Sequence, residues 1–487
     1  MKTKQTPQTG AELLSMDEAI ARLKTTRPTF YRWLKTGKLK GLKAGRQWRF
    51  YATDVDRFLK GEALRWDLPA DISPLINALA KKAGQPVPAT ASLSDTERVA
   101  AAADLALGAA IALGASDIHL DAAGDQGRIR YRIAGTLTVA AGFDAHLVPP
   151  LIDQFKRITG VCRLDIRDLP QDARIPYERG GKAFDIRMAF LPSWTGETMN
   201  ARLMPRELAV GGLEWLGLRE PGSLRLERAL AARSGMVVMT GPTGSGKTTA
   251  LYVAINHVNT PAKKIVAIES EIPYALPGVV QVPVRGEVTF AAALRAALRA
   301  DPNVIVIGEL VDGETVSLAP KAAMTGHLVL SAMHATSAAG AIRRMVEFGA
   351  SPYDVGESVR LVTSQRIVRK LCPDCRVKDT PSADQLAWAQ QAATGGGLDW
   401  KALPRKFMKS TGCAKCGGTG FKGRRVAFEA LEVTPAVAKL IREGAADDAI
   451  QSLAVKQGMV TMAADGVRAA CAGETSLAEV MVETSVS

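Results

Sequence analysis

Gly241-Pro242-Thr243-Gly244-Ser245-Gly246-Lys247-Thr248-Thr249 follows the apolar run 236–240 and precedes a helix-compatible run at 250–257. A strand, a glycine-rich loop and a helix in that order make a phosphate cradle. The glycines let the backbone turn sharply with its N–H groups pointing inward, so main-chain dipoles and a helix N-terminus grip a highly charged anion. Lys247 then reaches the β- and γ-phosphates, and Thr248 can ligate Mg²⁺. The ligand expected across these nine residues is a nucleoside triphosphate.

The chain around this loop has 487 residues, too many for one hydrophobic core, and about three domains are expected. Hydrophobic content of 47% suits globular folding. No uninterrupted apolar stretch is long enough to span a bilayer and the first thirty positions lack a signal-peptide core, so a cytoplasmic protein is expected. A net charge of +13 favours an anionic partner besides nucleotide, either nucleic acid or the cytoplasmic face of a membrane. Much of that excess lies between residues 22 and 60, which hold twelve Lys or Arg against two acids, Asp54 and Asp56.

Four of the six cysteines fall as Cys372-x-x-Cys375 and Cys413-x-x-Cys416. Paired thiolates two residues apart can bite one tetrahedral ion from a tight turn, and two such pairs complete a four-sulfur zinc site. The 37 residues between the pairs exceed the usual spacing, and a redox dithiol or free thiols are the alternatives.

Near the amino terminus, Ser15 is placed to cap a helix over 15–24, followed by a turn at Thr25 and Thr26 and a second helix opened by Pro28. Residues 39–51 alternate and turn at Ala44-Gly45 as a hairpin wing would, and Thr53 is placed to cap a closing helix through Leu59. This is a winged helix-turn-helix pattern. The proline-bearing stretch 62–94 reads as a linker with one short helix. Residues 95–214 follow as an α+β unit, in which Arg128, Arg130 and Arg132 share one face of a strand and Ile129, Tyr131 and Ile133 the other. From Pro221 the pattern becomes α/β, with helices alternating with short β-branched runs at Val237, Ile265, Val304 and Leu328, the mark of a mostly parallel sheet. Ligands in such sheets bind beyond the strand carboxyl ends.

Those ends carry the candidate catalytic groups. Glu309, after the buried run 304–307, can polarise an attacking water and help to organise Mg²⁺, unless it is only a solvated strand-end acid. Glu269, ending the run 264–268, is a second candidate that could instead hold a loop. His327 and His334 flank the run 328–333, where a histidine near a γ-phosphate can report its hydrolysis or simply be structural. Arg295 and Arg299, one helical turn apart, can stabilise charge on a transferring phosphoryl group or form a solvated face, and Arg174 and Arg202 in the preceding domain carry the same two readings.

From about residue 115 to residue 431 the chain resembles the secretion and pilus-assembly ATPases of the GspE and PilB type. The residues that carry the match are Ala115-Ser116-Asp117-Ile118-His119, Leu169-Pro170-Gln171-Asp172, the loop 241–249, Gly308-Glu309 with Glu314-Thr315, Thr325-Gly326-His327, and Gln365-Arg366-Ile367-Val368-Arg369-Lys370-Leu371-Cys372-Pro373. The resemblance implies a PAS-like domain joined to a RecA-like motor, with ATP between them, six copies in a ring and a tetracysteine zinc element. It implies ATP hydrolysis that drives pseudopilin assembly from a position peripheral to the inner membrane, on a platform protein there. By the same resemblance Lys247 and Thr248 match the Walker A loop, Glu309 the Walker B glutamate, Glu269 the first acid of the aspartate box, and His327 and His334 the histidine box. Arg174, Arg202, Arg295 and Arg299 fall where the family places arginines that reach nucleotide or the adjacent subunit. Departures accompany the match: the aspartate box reads Glu269-Ser270-Glu271-Ile272-Pro273, with its second acid displaced, and Val311, Ala134 and Ala173 replace an arginine, an aspartate and a glycine.

The amino-terminal module resembles the excisionase or MerR-type helix-turn-helix. Thr29, Tyr31, Arg32 and Lys35 would face a groove, and Lys43, Arg46 and Arg49 would face phosphates, or the same surface would dock a protein or membrane partner. Phe30, Trp33 and Leu34 are expected in its core. The organisation expected is thus a tail over 1–12, a helix-turn-helix over 13–61, a linker over 62–94, the PAS-like domain over 95–214, a RecA-like core over 215–371, the zinc element with return to the core over 372–435, and a helical region over 436–487. Alternatives to the motor are a DNA-binding regulator with a nucleotide-sensing half, and a ring subunit that binds nucleotide but turns it over poorly.

Overall fold

In the carboxyl-terminal half, seven strands form one sheet in the spatial order Val279–Pro283, Ile265–Glu269, Val304–Ile307, Leu328–Met333, Gly235–Thr240, Val359–Leu371 and Phe421–Glu432. All neighbours are parallel except the last pair. A parallel sheet is covered on both faces, and four of these strands are accordingly buried at every position. Alternate side chains divide between two cores. Met236 and Val238 join Ile268, Ile305 and Val329 on one face, while Val237 and Met239 join Leu251, Tyr252, Val306 and Leu330 on the other. The strand that feeds the glycine-rich loop lies inside this sheet, so its carboxyl end opens between neighbours on both sides, as ligand crevices of open α/β sheets do.

The computed structural model describes residues 12–35, 39, 41–44, 47–59, 68, 70–89, 92–133, 135–206 and 212–484. The chain divides into two compact units, Met1–Glu207 and Leu208–Ser487. In the second, the cysteine-bearing residues 372–420 leave and re-enter between the last two strands, where Leu371 pairs with Phe421. This insert holds the short ladder of Arg376–Lys378 with Met408–Ser410 and the helix Ala383–Gly395, opened by a reciprocal Ser382–Gln385 cap. Of the final helices, Pro435–Arg442 and Asp447–Lys456 bury Val437, Ile441, Ile450 and Ala454 on the sheet, whereas Met462–Cys471 and Leu477–Thr484 pack with the insert's helix.

The first unit contains a six-stranded antiparallel sheet in the order Thr136–Asp144, Gln126–Ile133, Ala115–Ala123, Gly196–Pro205, Lys182–Ser193, Gln171–Arg179. The alternation over 126–133 behaves as expected: Ile129 and Tyr131 are buried, and Arg128 and Arg130 pair with Asp121 on the opposite face. One expectation is corrected. The helix Ser73–Ala83 sits in the stretch read as linker, yet Leu75, Ile76, Leu79 and Ala80 are buried in the same core as the sheet. Its apolar stripe outweighs the surrounding prolines, so this part of 62–94 is structural.

A separate small core serves the helix-turn-helix, with Phe30 edge-on to Phe50 at 5.0 Å and Trp33 and Leu34 packed against it. Ser15 caps its helix through a reciprocal bond with Glu18, but that helix, Met16–Arg22, ends before Lys24. The closing helix is Ala52–Leu59, so Thr53 lies inside it and is not its cap; the Ala52 amide bonds to the Glu12 carbonyl instead. Among the described residues no helix is long and apolar enough to cross a membrane.

Lys156 is fully buried, donating to Glu197 at 2.5 Å and to the Ile166 carbonyl at 2.9 Å. Removing one partner of such a pair strands the other charge, whereas an apolar pair of similar volume does not. Urea unfolding of the full chain should show Lys156→Met lowering stability by about 3 kcal/mol and Lys156→Met with Glu197→Leu regaining most of it.

Candidate functional site

Between the buried strand Gly235–Thr240 and the helix Lys247–Val258, the loop turns through Gly241, Gly244 and Gly246, whose φ angles are 151°, 80° and 87°. A side chain at 241 would meet the Ser245 hydroxyl at 2.4 Å and the Gln365 carbonyl at 2.6 Å, so glycine is required there twice over. Pro242, Thr243, Gly244 and Thr248 are exposed, Ser245 and Lys247 buried, and Gly246 and Thr249 intermediate. Gln365, from the neighbouring strand, donates to the Ser245 carbonyl at 2.8 Å and braces the loop from behind.

Lys247 donates to the carbonyls of Gly241 at 2.8 Å and Pro242 at 3.0 Å, and its Nζ lies 3.2 Å from His334 Nδ1. The other ring nitrogen of His334 is 2.7 Å from Glu309 Oε1. Three ends of parallel strands thus converge in one line, Lys247, His334 and Glu309. Burial lowers the Lys247 ammonium below its ordinary range; the Glu309 carboxylate opposes this and Arg366 adds to it. The ammonium is therefore held by weak neutral acceptors in a half-dry site, and a polyanion offers it a stronger partner.

Glu269 is buried at its strand end with both oxygens occupied: Tyr252 donates to one at 2.6 Å and Gln281 to the other at 3.2 Å. Burial raises its pKa, and the two donors oppose the rise. The cleft these groups line measures about 1030 Å³ and also takes in Glu271, Thr248, Ile367, Arg424 and Phe428. Its apolar wall, Leu216, Leu218, Ile367, Val426 and Phe428, stands beside the loop and suits a flat heterocycle.

His327 does not join this cluster. It lies at the amino end of Leu328–Met333, with Nδ1 3.0 Å from the Ala322 carbonyl, while His334 follows the carboxyl end about 20 Å away. Strand polarity separates two residues that are close in sequence. Arg295 is exposed and pairs with Glu314, and Arg299 caps the end of the same helix, Phe290–Leu298; neither lines the cleft of its own chain. Arg174 pairs with Asp185 and Arg202 with Asp117, both in the first unit. Tyr252, Gln281, Arg424 and the wall residues Leu216, Leu218, Val426 and Phe428 carry no motif of their own, and only the fold reveals them; Gln365 and Ile367 belong to the quoted stretch 365–373, which does not by itself show that they face the loop.

The four cysteines come together as the spacing suggests, all sulfurs lying within 4.8 Å of one another. Cys372–Cys413 and Cys375–Cys416 are each 3.9 Å and Cys413–Cys416 3.7 Å, against about 3.8 Å for the edge of a tetrahedral zinc–sulfur site. The amides of Cys413 and Gly420 point at Cys416 Sγ, each at 3.2 Å. Against the effect of burial, these amides and the neighbouring thiols bring Cys416 down to about 6. The donor set fits a zinc ion.

Of the helix-turn-helix surface, Thr29 is half-buried, Tyr31 is exposed and Arg49 hydrogen-bonds Gln47. Arg32 and Lys35 lie on the helix Arg27–Lys35 and Lys43 on the strand Leu42–Ala44, while Arg46 lies outside the described residues.

The family described as Type II/IV secretion system protein matches residues 92–482, and a helix-turn-helix domain matches 13–63. Type II secretion system protein E of Klebsiella pneumoniae is 40% identical, over 75% of this chain and 72% of the relative. Type II secretion system protein HxcR of Pseudomonas aeruginosa is 36% identical, over 75% and 73%. The type IV pilus assembly ATPase PilB of Thermus thermophilus is 34% identical, over 76% of this chain and 41% of its own length. Among solved structures, the pilus retraction motor PilT with bound ADP aligns with a TM-score of 0.53 at 27% identity, covering 77% of this chain and 95% of that one. The ATPase DotB of Legionella pneumophila shares the fold at a TM-score of 0.56.

The two histidines should separate in solution. His334→Ala is expected to cost at least about tenfold in turnover of bound nucleotide, whereas His327→Ala should leave ATP affinity within about threefold. Titration with a fluorescent nucleotide and single-turnover kinetics read both.

Proposed function

The chain belongs to the type II/IV secretion system protein family, and on that footing we propose that it is a P-loop ATPase powering filament assembly in a type II secretion or type IV pilus-like system. The observation that carries this is the convergence of Lys247, His334 and Glu309 at the mouth of one cleft. When a triphosphate enters, Lys247 exchanges its two loop carbonyls for phosphate oxygens, and backbone amides of the loop 243–249 complete the cradle. Thr248, exposed on the first helical turn beside them, would hold magnesium, which neutralises charge on the phosphates. Glu309 then accepts hydrogen bonds from the attacking water and His334 faces the leaving phosphoryl group. Glu269, already gripped by Tyr252 and Gln281, fixes the floor of the cleft. The heterocycle lies against Leu216, Leu218, Ile367 and Phe428, with Arg424 exposed at the rim.

Arg295 and Arg299, on and just after the helix Phe290–Leu298, do not line this cleft, and Arg174 and Arg202 lie on strands of the first unit. They serve as charge stabilisers brought by domain motion or by a neighbouring copy in a ring of six. The tetracysteine insert holds zinc. The motor works in the cytoplasm against an inner-membrane platform protein. The basic helix-turn-helix adds an anionic partner, DNA or a protein, to that role.

Purified chain with Mg²⁺ should release phosphate from ATP. Lys247→Ala should lose nucleotide binding, whereas Glu309→Gln should bind ATP within about threefold of wild type and slow its turnover at least about a hundredfold. Wild-type chain that binds ATP without releasing phosphate would leave only the poorly turning-over ring subunit. Metal analysis should find one zinc per chain. Cys413→Ser with Cys416→Ser should empty the site and lower the unfolding midpoint of residues 372–420, read by limited proteolysis.

A further inference from the structure

Glu429 is a buried acid that the nucleotide site does not use. It sits on Phe421–Glu432 opposite Ser364 and is 4% exposed. One carboxylate oxygen accepts the amide of Ala338 at 2.7 Å, and the other accepts the amide of Met462 at 3.0 Å. Both amides are the first of a helix: Ala338–Glu347 is capped by Ser337 and Met462–Cys471 by Thr461. Two helix N-termini, each with a partial positive charge, therefore meet at one carboxyl group, one at each oxygen.

The first of these helices begins four residues after His334, and the intervening residues 335–337 are the whole connection. Arg366, on the strand beside Glu429 and two residues beyond its Ser364 partner, donates to the Thr336 carbonyl at 3.4 Å within the same connection. His334 thus emerges from a strand at one end and from a pinned helix start at the other. The second helix also touches the cleft's lining, since Arg425, a cleft residue, pairs with Asp465 on that helix at 2.9 Å.

From this arrangement we infer that Glu429 is a positioning residue for the hydrolysis site, holding the 334–338 segment so that His334 faces the γ-phosphate and tying that segment to the Met462–Cys471 helix. The inference rests on the nucleotide reading above. Replacing one carboxylate oxygen by an amide sets an N–H against an N–H, so Glu429→Gln keeps the side chain's volume and surrenders one of the two links. The buried strand end and the phosphate loop are untouched by the change.

The test is a double-mutant cycle on the full chain with ATP and Mg²⁺. Glu429→Gln should lower kcat about tenfold with ATP affinity unchanged, and in a His334→Ala background the same substitution should change kcat less than about twofold. A role in general stability gives additive losses in both backgrounds, and that result overturns the inference. Wild-type chain without ATP turnover sinks the motor reading itself, which separates the two failures. Should Glu429→Gln not fold, hydrogen exchange on wild type decides: a slowly hydrolysed ATP analogue should alter exchange in 334–338 and 461–464 together. A response confined to 334–338 contradicts the tie.

Discussion

A buried ammonium without a carboxylate partner is the constraint from which this site follows. Lys247 lies at the start of a helix, where the macrodipole already disfavours a cation, and its neighbours are two loop carbonyls and one imidazole. Such a charge is tolerable only if a strong anion replaces those acceptors in use. The glycines that let the loop curl beneath it, the strand that fixes its height in the sheet and the glutamine that braces it from behind all serve that one placement.

Parallel strand order does the rest. Because Ile265–Glu269, Val304–Ile307, Leu328–Met333 and Gly235–Thr240 run in one direction, the groups that follow their carboxyl ends collect on one edge. Glu309, His334 and the loop become neighbours although they are scattered over almost a hundred positions of sequence. The cysteine insert exploits the one antiparallel pair, since a hairpin end can carry a long excursion without disturbing the parallel core. Its four sulfurs lie at the separations that a tetrahedral zinc–sulfur site requires.

Much of this was legible in the residues, for physical reasons. The loop 241–249 announces itself because few backbones besides a phosphate cradle need three glycines in that spacing, and the C-x-x-C pairs because thiolates need short spacing to share an ion. Fully apolar runs bounded by polar residues located the parallel strands. Strand polarity was harder to use: His327 and His334 look equivalent around one strand, and only the direction of the chain shows that one faces the loop and the other the far edge. The helix within 62–94 was legible, but its burial in the core was not, because its core partners lie far along the chain. Glu269, Tyr252 and Gln281 form a hydrogen-bonded triad that no spacing rule specifies, since each comes from a different element.

The most direct measurement is a structure of the chain with a non-hydrolysable ATP analogue and magnesium. The account predicts Lys247 Nζ lifted from the Gly241 and Pro242 carbonyls onto phosphate oxygens, with Glu309 and His334 turned toward the terminal phosphate. An empty cleft at millimolar analogue, with Lys247 still on those carbonyls, contradicts it.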